Sequence, residues 1–434
     1  MFQDDGSSSI TSSSPQQNFP ATSISPGGFG SPCSSWIGEL KPEERGLCLI
    51  HLLLTCANQV AAGALENANQ VLDQISQLAS PDGDTMQRIA SYFAEALADR
   101  ILRTWPGLYK ALHSTRLTAL SEDLTAKKTL FELLPFLKVA FIVTNQAIME
   151  AMGGEKLVHI IDLNAAEPTQ WLQLLHDLSS RPEGPPHLRI TGVHHHRQTL
   201  DQMARLLTAE AEKLDIPFQF TPVVTRIENL DFQKLRVKTG EALAVTSSLQ
   251  LHTLLAYNDQ FRKSSPPGDF LENDSASSSK IKGFLNSLWA LSPKILMITE
   301  QESNHNGQTL TERMSESLYY YAAWFDCLES TLPRTSPDRM RVEKAVLGEE
   351  IKNIVACEGV ERKERHERLE KWFWRLGAAG FGNVRLSYFS MLQARRLLQS
   401  CRCDGYNLKE ENGCLVICWQ DRALFSVSAW RCRK

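Results

Sequence analysis

From Gly154 onward, short runs of strand-forming residues alternate with amphipathic helical patterns. Helices are predicted to begin near Thr169 and near Thr199, each after such a run. Because strands that are joined by helical crossovers pair in parallel, the alternation predicts a parallel sheet with helices on both faces. The strand runs are LVHIID at 157–162, LRITGV at 188–193, FQFTPVV at 218–224, EALAVTSSL at 241–249 and ILMITEQE at 295–302.

The end of the chain has a different pattern. GCLVICWQ and ALFSVSAW are two β-rich runs separated by a polar turn, which predicts an antiparallel hairpin at the edge of the sheet. In the second run, Trp430 lies on a largely apolar strand and is expected to be buried. Parallel strands followed by such a hairpin resemble the class I methyltransferase topology. The predicted fold class is therefore α/β, with a Rossmann-like sheet.

The residues before the first strand predict a helical cap. One apolar stripe of a helix contains Leu49, Leu52, Leu53, Cys56 and Val60, a second follows the turn-forming SPDGD, and a third is broken near Pro135. These stripes carry more apolar surface than a helix pair buries, so we expect the cap to associate with itself or with partners through residues such as Leu52 and Leu53. The Ser-rich residues 1–36 are expected to be disordered, and KSSPPGDFLENDSASSSK to be an exposed linker.

The loop after the first strand, in LVHIIDLNAAEPTQW, lies where a dinucleotide or a methyl donor binds in folds of this class. Such loops use glycines two, four and six residues after the strand-end acid, but here Asn164, Ala166 and Pro168 follow Asp162. The acid expected at the end of the second strand is replaced by His194. Both departures indicate that the usual ligand does not bind, and no cofactor is predicted.

Catalytic and metal sites are not predicted either. The chain has no GxSxG, HExxH or P-loop pattern. The adjacent histidines 194–196 point in alternating directions, which favours a solvated loop over a metal site. The spacing of Cys401, Cys403, Cys414 and Cys418 departs from that of a zinc ribbon, so packing in the core is favoured over zinc.

The charge balance argues against direct DNA binding. The chain has 46 Lys and Arg against 50 Asp and Glu, a formal net charge of −4, whereas phosphate contacts require clustered cations. The N-terminus lacks the pattern of a signal peptide, and no apolar stretch reaches the roughly 18 residues of a membrane span. These features predict a soluble intracellular protein with reduced thiols.

The densest charge run is ERKERHERLEKW at 361–372. Its Glu361–Arg365, Glu364–Arg368 and Glu367–Lys371 spacings predict a solvated helix with ion pairs between residues four apart. Contact with a protein partner through Arg365, His366 and Glu367 is the alternative.

Taken in order, LVHIID, PPHLRITGV, RVKTGEALAV, RVEKAVLGEEIKNIVACEG with RKERHE, and LFSVSAW resemble the GRAS family of plant transcriptional regulators. The resemblance covers residues 37–434 and implies five regions. They are leucine-rich region I at 37–105, a VHIID region at 127–192 with its core at 158–162, leucine-rich region II at 205–240, a PFYRE region at 241–357 and a SAW region at 358–434.

The resemblance implies a non-enzymatic regulator in the nucleus, in gibberellin signalling and root development. The implied partners are INDETERMINATE-domain zinc-finger factors and other GRAS proteins, including DELLA-type repressors, as homodimers or heterodimers. A methyltransferase-like enzyme, or a regulator that binds a small molecule in the remnant cleft, remains the alternative. The candidate contact residues are Val158, His159, Ile160, Ile161, Asp162, Leu52, Leu53, Arg365, His366, Glu367 and Trp430.

Overall fold

The computed structural model describes residues 41–114, 120–260, 280–401 and 403–433, without the side chains of 120–124 and 258–260. The predicted disordered tail, 1–36, and nearly all of the predicted linker lie outside the described residues. Residues Pro42–Lys434 form one compact unit. By itself, none of the described helices is long and apolar enough to cross a membrane; two of them, Thr125–Leu133 and Phe136–Ala151, meet that test together across a bend of 79°.

Within the described residues, one mixed sheet has the strand order β3-β2-β1-β4-β5-β9-β8-β7, and β6 pairs with β9. The first five strands in this order are parallel and the remaining pairings are antiparallel. The bounds are β1 (Leu157–Asp162), β2 (His187–His194), β3 (Phe218–Val224), β4 (Ala242–Ser248), β5 (Ile295–Gln301), β6 (Phe381–Val384), β7 (Tyr406–Glu411), β8 (Cys414–Trp419) and β9 (Arg422–Cys432). The predicted fold class is confirmed.

The C-terminal hairpin is present, but it does not form the edge of the sheet. Strand β9 lies between β5 and β8, and β7 supplies the edge beyond β8. The apolar character of β9 explains its interior position, because an interior strand is covered on both faces. Trp430 is 1% exposed, as the strand pattern predicts, and packs with Leu296, Phe381 and Trp372 in the main apolar cluster.

The helices surround this sheet and also form the N-terminal cap. Their bounds are α1 (Pro42–Ala61), α2 (Leu65–Leu78), α3 (Thr85–Leu102), α4 (Pro106–His113), α5 (Leu120–Leu133), α6 (Phe136–Ala151), α7 (Thr169–Ser179), α8 (Arg197–Lys213), α9 (Lys280–Ala290), α10 (Leu310–Thr331), α11 (Pro337–Val342), α12 (Glu349–Ala356), α13 (Leu369–Ala378) and α14 (Tyr388–Gln399). The predicted break at Pro135 separates α5 from α6. In the turn SPDGD, Asp84 caps α3 by accepting a hydrogen bond from the Gln87 backbone N–H at 3.0 Å.

The cap is fastened to the C-terminal half by packing and by buried charge. Helix α3 packs against α10 and α12, and α1 packs against α10. The fully buried Arg88 of α3 lies 3.3 Å from Glu343 and 3.0 Å from Glu329. A buried cation must be paired, so these contacts fix the position of α3 against the later helices.

The charge run at 361–372 is not a solvated helix, so that prediction is wrong. Residues 362–368 lie outside any helix or strand and are largely buried, and α13 begins only at Leu369. None of the three predicted pairs forms, because the charges bind other partners. Glu361 binds Arg103 at 2.6 Å, Arg368 binds Glu316 at 2.8 Å, and Glu367 binds Arg375 at 2.6 Å.

Candidate functional site

The loop after β1, residues 163–168, is closed against the carboxyl ends of the neighbouring strands. The Asp162 carboxylate accepts hydrogen bonds from the Trp171 indole N–H at 2.8 Å and from the Asn164 backbone N–H at 3.0 Å. The Ala165 N–H donates to the Val193 carbonyl at 3.0 Å, which ties the loop to β2. These N–H groups are consequently used inside the protein, whereas a nucleotide-type ligand would need them to point outward.

The same loop fills the space into which a ligand would fit. Leu163 and Ala165 are buried. A Cβ added at Gly192 of β2 would lie 2.9 Å from the Ala165 Cβ and 2.7 Å from the Phe220 ring, so the loop packs directly on the strand. The Asn164 side chain donates to the Ser248 carbonyl at 2.9 Å and bridges to the end of β4.

The five residues Val158–Asp162 are all buried, and they frame the sheet instead of forming a surface. His159 Nε2 lies 2.8 Å from the Thr191 hydroxyl, and its Nδ1 accepts from Arg189 at 3.0 Å. Burial and the Arg189 guanidinium lower the pKa of His159 from 6.5 to about 4. Burial likewise raises the pKa of Asp162 to about 6, against the two hydrogen bonds that it accepts.

A cavity of about 200 Å³ remains beside the closed loop, at the carboxyl end of β2. It is lined by Leu163, Val193, His194, His195, Thr225, Arg226, Ile227, Glu228, Gln250, Thr253 and Lys363. The prediction of a solvated histidine loop is wrong for His194, which is only 8% exposed, and is confirmed for the exposed His195. His194 ends a buried strand, and its Nδ1 accepts from the His196 backbone N–H at 3.2 Å.

Further along the same edge of the sheet, the segment 362–368 completes a buried chain of polar side chains. His252 Nδ1 lies 2.6 Å from Glu300 Oε2, and its Nε2 lies 3.2 Å from Glu364 Oε2. His366 continues the chain, with Nε2 at 3.0 Å from Glu364 Oε2 and Nδ1 at 2.8 Å from His305 Nδ1. The Nε2 atom of His305 lies 2.8 Å from the Ser303 hydroxyl. We call these six residues the polar cluster.

Electrostatics within the polar cluster favour a positive charge at its centre. Burial lowers the pKa of His252, but the Glu300 and Glu364 carboxylates outweigh burial and raise it to about 10. The pKa of Glu364 is held well below its usual value against burial, by the hydrogen bond from His252 and by the adjacent His366 imidazole. The cluster therefore stabilises a cation between these carboxylates.

Two arginines hold the segment that carries Glu364 and His366. Arg362 donates to the His305 carbonyl at 3.0 Å, and Arg365 donates to the Gly359 carbonyl at 2.9 Å. The predicted contact residues Arg365, His366 and Glu367 are each at most 5% exposed. Their side chains hold the fold together and offer almost no surface to a partner.

Sequence reasoning missed His252, Glu300, His305 and Ser303. The expected order of the strands in the sheet could have indicated these residues. His252 follows β4, His305 follows β5, and Glu300 lies at the carboxyl end of β5. Because β4 and β5 are adjacent and parallel, groups at these ends meet at one edge of the sheet.

The remaining predicted contact residues are also largely internal. Leu53 is 0% exposed, whereas Leu52 is half-buried. The Trp430 indole donates to the Ser428 hydroxyl at 2.9 Å, and its ring lies 4.8 Å from that of Phe373. Cys414 and Cys418 pack with Leu369 and Val416, and burial raises the pKa of both thiols to about 11, as expected for core cysteines.

A sheet of this order, a closed β1 loop and a buried RKERHE segment define a Rossmann-like protein whose usual ligand loop is shut. The model of the GRAS domain family matches residues 49–431, and the chain belongs to that family. It is 57% identical to "Scarecrow-like protein 3" of Arabidopsis thaliana, over 100% of this chain and 99% of that protein. With "GRAS family protein TF80" of Medicago truncatula the identity is 46%, over 92% and 98%.

Other relatives extend the comparison across the family. "Protein SCARECROW" of Arabidopsis thaliana is 36% identical over 90% of this chain and 56% of its own length, and "DELLA protein RGL1" of the same plant is 36% identical over 90% and 71%. The crystal structure of SCL7 from Oryza sativa matches with a TM-score of 0.73 and 31% identity, over 88% of this chain and 99% of that one. The chain is thus a GRAS-type plant regulator, in a family of transcription regulators.

Proposed function

We propose that the protein is a non-enzymatic co-regulator of transcription that acts in the plant nucleus, in gibberellin signalling and root development. The closed β1 loop carries this proposal. The Ala165 N–H and the Asp162 carboxylate form hydrogen bonds inside the protein. An enzyme of this fold would use the groups at these positions to hold a cofactor. A frame that keeps the sheet and closes its ligand loop is suited to presenting surfaces to other proteins.

The proposed partners are INDETERMINATE-domain zinc-finger factors and other GRAS proteins, including DELLA-type repressors, with homodimers or heterodimers of GRAS chains. The net charge of −4 supports recruitment through a partner, since DNA phosphates attract clustered cations and not a slightly acidic protein. On this proposal the zinc-finger factor contributes the DNA contacts and this chain contributes the regulatory surface.

A gel-shift titration on promoter DNA tests the proposal. We expect the isolated protein to form no sequence-specific complex at physiological salt, and to slow the migration of a complex that an INDETERMINATE-domain factor already makes. Sequence-specific binding by the isolated protein in the nanomolar range would contradict it, because that affinity is typical of direct readers of DNA.

The cavity beside the closed loop favours a second candidate, a regulator or methyltransferase-like enzyme that binds a small molecule. Arg226, Lys363 and Glu228 line it with charge of both signs. Calorimetry with S-adenosylmethionine separates the two candidates. We expect no saturable heat; saturable binding that Arg226→Gln removes, with the melting curve unchanged, would establish the second candidate instead.

A further inference from the structure

Three side chains of the polar cluster are spaced like the ligands of a metal ion. His252 Nε2 and His366 Nε2 lie 3.2 and 3.0 Å from Glu364 Oε2, and one ligand atom from each residue falls within 4.8 Å of the others. Zinc binds imidazole nitrogen and carboxylate oxygen at about 2.0–2.2 Å, so neighbouring ligands around it are about 3.3 Å apart. The two distances to Glu364 are close to that separation.

A chain of buried polar contacts orients the His366 ring. The Ser303 hydroxyl lies 3.3 Å from the Glu316 carboxylate and 2.8 Å from His305 Nε2. His305 Nδ1 in turn lies 2.8 Å from His366 Nδ1. Because Nδ1 of His366 is engaged with His305, its other nitrogen, Nε2, is the one that faces Glu364.

The contact between His366 Nε2 and Glu364 is not a hydrogen bond. Among the described residues, the buried Nε2 of His366 has no hydrogen-bond partner, although Glu364 Oε2 is 3.0 Å away. A buried polar atom without a hydrogen bond is costly, and a cation bound by both the ring nitrogen and the carboxylate oxygen would remove that cost.

His252 is oriented in the manner of a zinc ligand. Its Nδ1 forms a hydrogen bond with the Glu300 carboxylate at 2.6 Å, and Glu300 is 1% exposed. A carboxylate that accepts from one imidazole nitrogen and so directs the other at the metal is a common arrangement in zinc sites. In both histidines Nδ1 is engaged and Nε2 lies toward Glu364.

We propose that His252, Glu364 and His366 form a Zn²⁺ site, a property independent of the proposed regulatory function. The ion would join the residues after β4 to the segment 362–368, and would hold that segment against the sheet. Thr253 and Lys363, which adjoin two of the ligands in sequence, line the 200 Å³ cavity, which provides a route for the ion.

Two other groups in the chain could bind zinc and must be distinguished from this site. The adjacent histidines 194–196 are one, although His194 Nδ1 already accepts a backbone hydrogen bond. The cysteines near the C-terminus are the other, although Cys414 and Cys418 lie in an apolar cluster. Zinc binding at the histidines would be lost when His195 and His196 are replaced, and zinc binding at the cysteines would give sulfur ligands.

The test is calorimetric titration of the chelator-treated full chain with Zn²⁺. We expect one equivalent bound tighter than about 1 µM. Glu364→Gln and His366→Gln should weaken binding more than about 100-fold, and Glu300→Gln about 10- to 100-fold, as observed when a residue that orients a ligand is lost. A chain with both His195→Gln and His196→Gln is the matched control and should bind like the parent.

X-ray absorption at the zinc edge of the loaded parent chain needs no variant, and so remains decisive if a substitution prevents folding. We expect only nitrogen and oxygen ligands. Sulfur ligands, affinity unchanged by Glu364→Gln, affinity lost in the His195 and His196 control, or no binding by the parent tighter than about 1 µM would each overturn the proposal.

Discussion

His159 shows what the residues of the first strand do. It is fully buried and neutral, and it makes contacts with Thr191 and Arg189 on the neighbouring strand. Arg189 in turn forms an ion pair with Glu241, just before β4. One imidazole thus links three adjacent strands, which gives this position a structural role without any ligand.

Protonation of His159 should destabilise the fold. Its pKa is about 4 in the folded chain against an ordinary value of 6.5, so the unfolded chain binds the proton more strongly. The contribution to stability is complete above pH 6.5 and is lost as the pH falls through 4, to a total of about 3 kcal/mol. His159→Gln keeps an acceptor for Arg189 and a donor for Thr191 but does not titrate.

Urea unfolding of the parent and of His159→Gln, from about pH 7 to about pH 4, measures this contribution. We expect the parent to lose more stability than the variant over that range. Other buried histidines titrate in both proteins, so only the difference between them counts. Equal slopes against pH would mean that His159 is not held neutral by the fold.

At the scale of elements, the sequence predicted most of the sheet and little of the polar cluster. LVHIID and FQFTPVV match β1 and β3 residue for residue, since period and composition are local properties of a strand. The charge run at 361–372 was assigned to a helix because its charges are spaced four apart. Its real partners, such as Arg103 and Glu316, lie more than 50 residues away, and local spacing carries no information about them.

Helix α1 is where we propose that association between chains occurs. Leu47 is 71% exposed and Ile50 is 36% exposed, whereas Leu53 on the same helix is fully buried. Exposed apolar side chains gain stability when a partner covers them. The predicted contact through Leu53 is therefore better placed at Leu47, Ile50 and the half-buried Leu52.

Replacing both Leu47 and Ile50 with lysine should abolish association and leave the melting temperature near that of the parent, because neither side chain is in the core. Leu53→Ala is the matched control and should lower the unfolding free energy by about 2–5 kcal/mol. Sedimentation velocity reports association. If the double variant sediments like the parent, α1 contributes only to the core.

For the whole molecule, the position of β9 matters most. This strand, the last among the described residues, lies between β5 and β8, and it also pairs with β6. It therefore joins the parallel half of the sheet to the antiparallel half. Through Trp430 it also contributes to the main apolar cluster, which contains residues of the parallel strands as well.

This arrangement determines when the chain can fold during its synthesis. Until Arg422–Cys432 leave the ribosome, β5 has a bare edge whose backbone N–H and C=O groups can pair with another nascent chain. The parallel half must remain in that aggregation-prone state while more than a hundred further residues are translated. Cover of this edge while the chain is being translated is therefore an expected need of the fold.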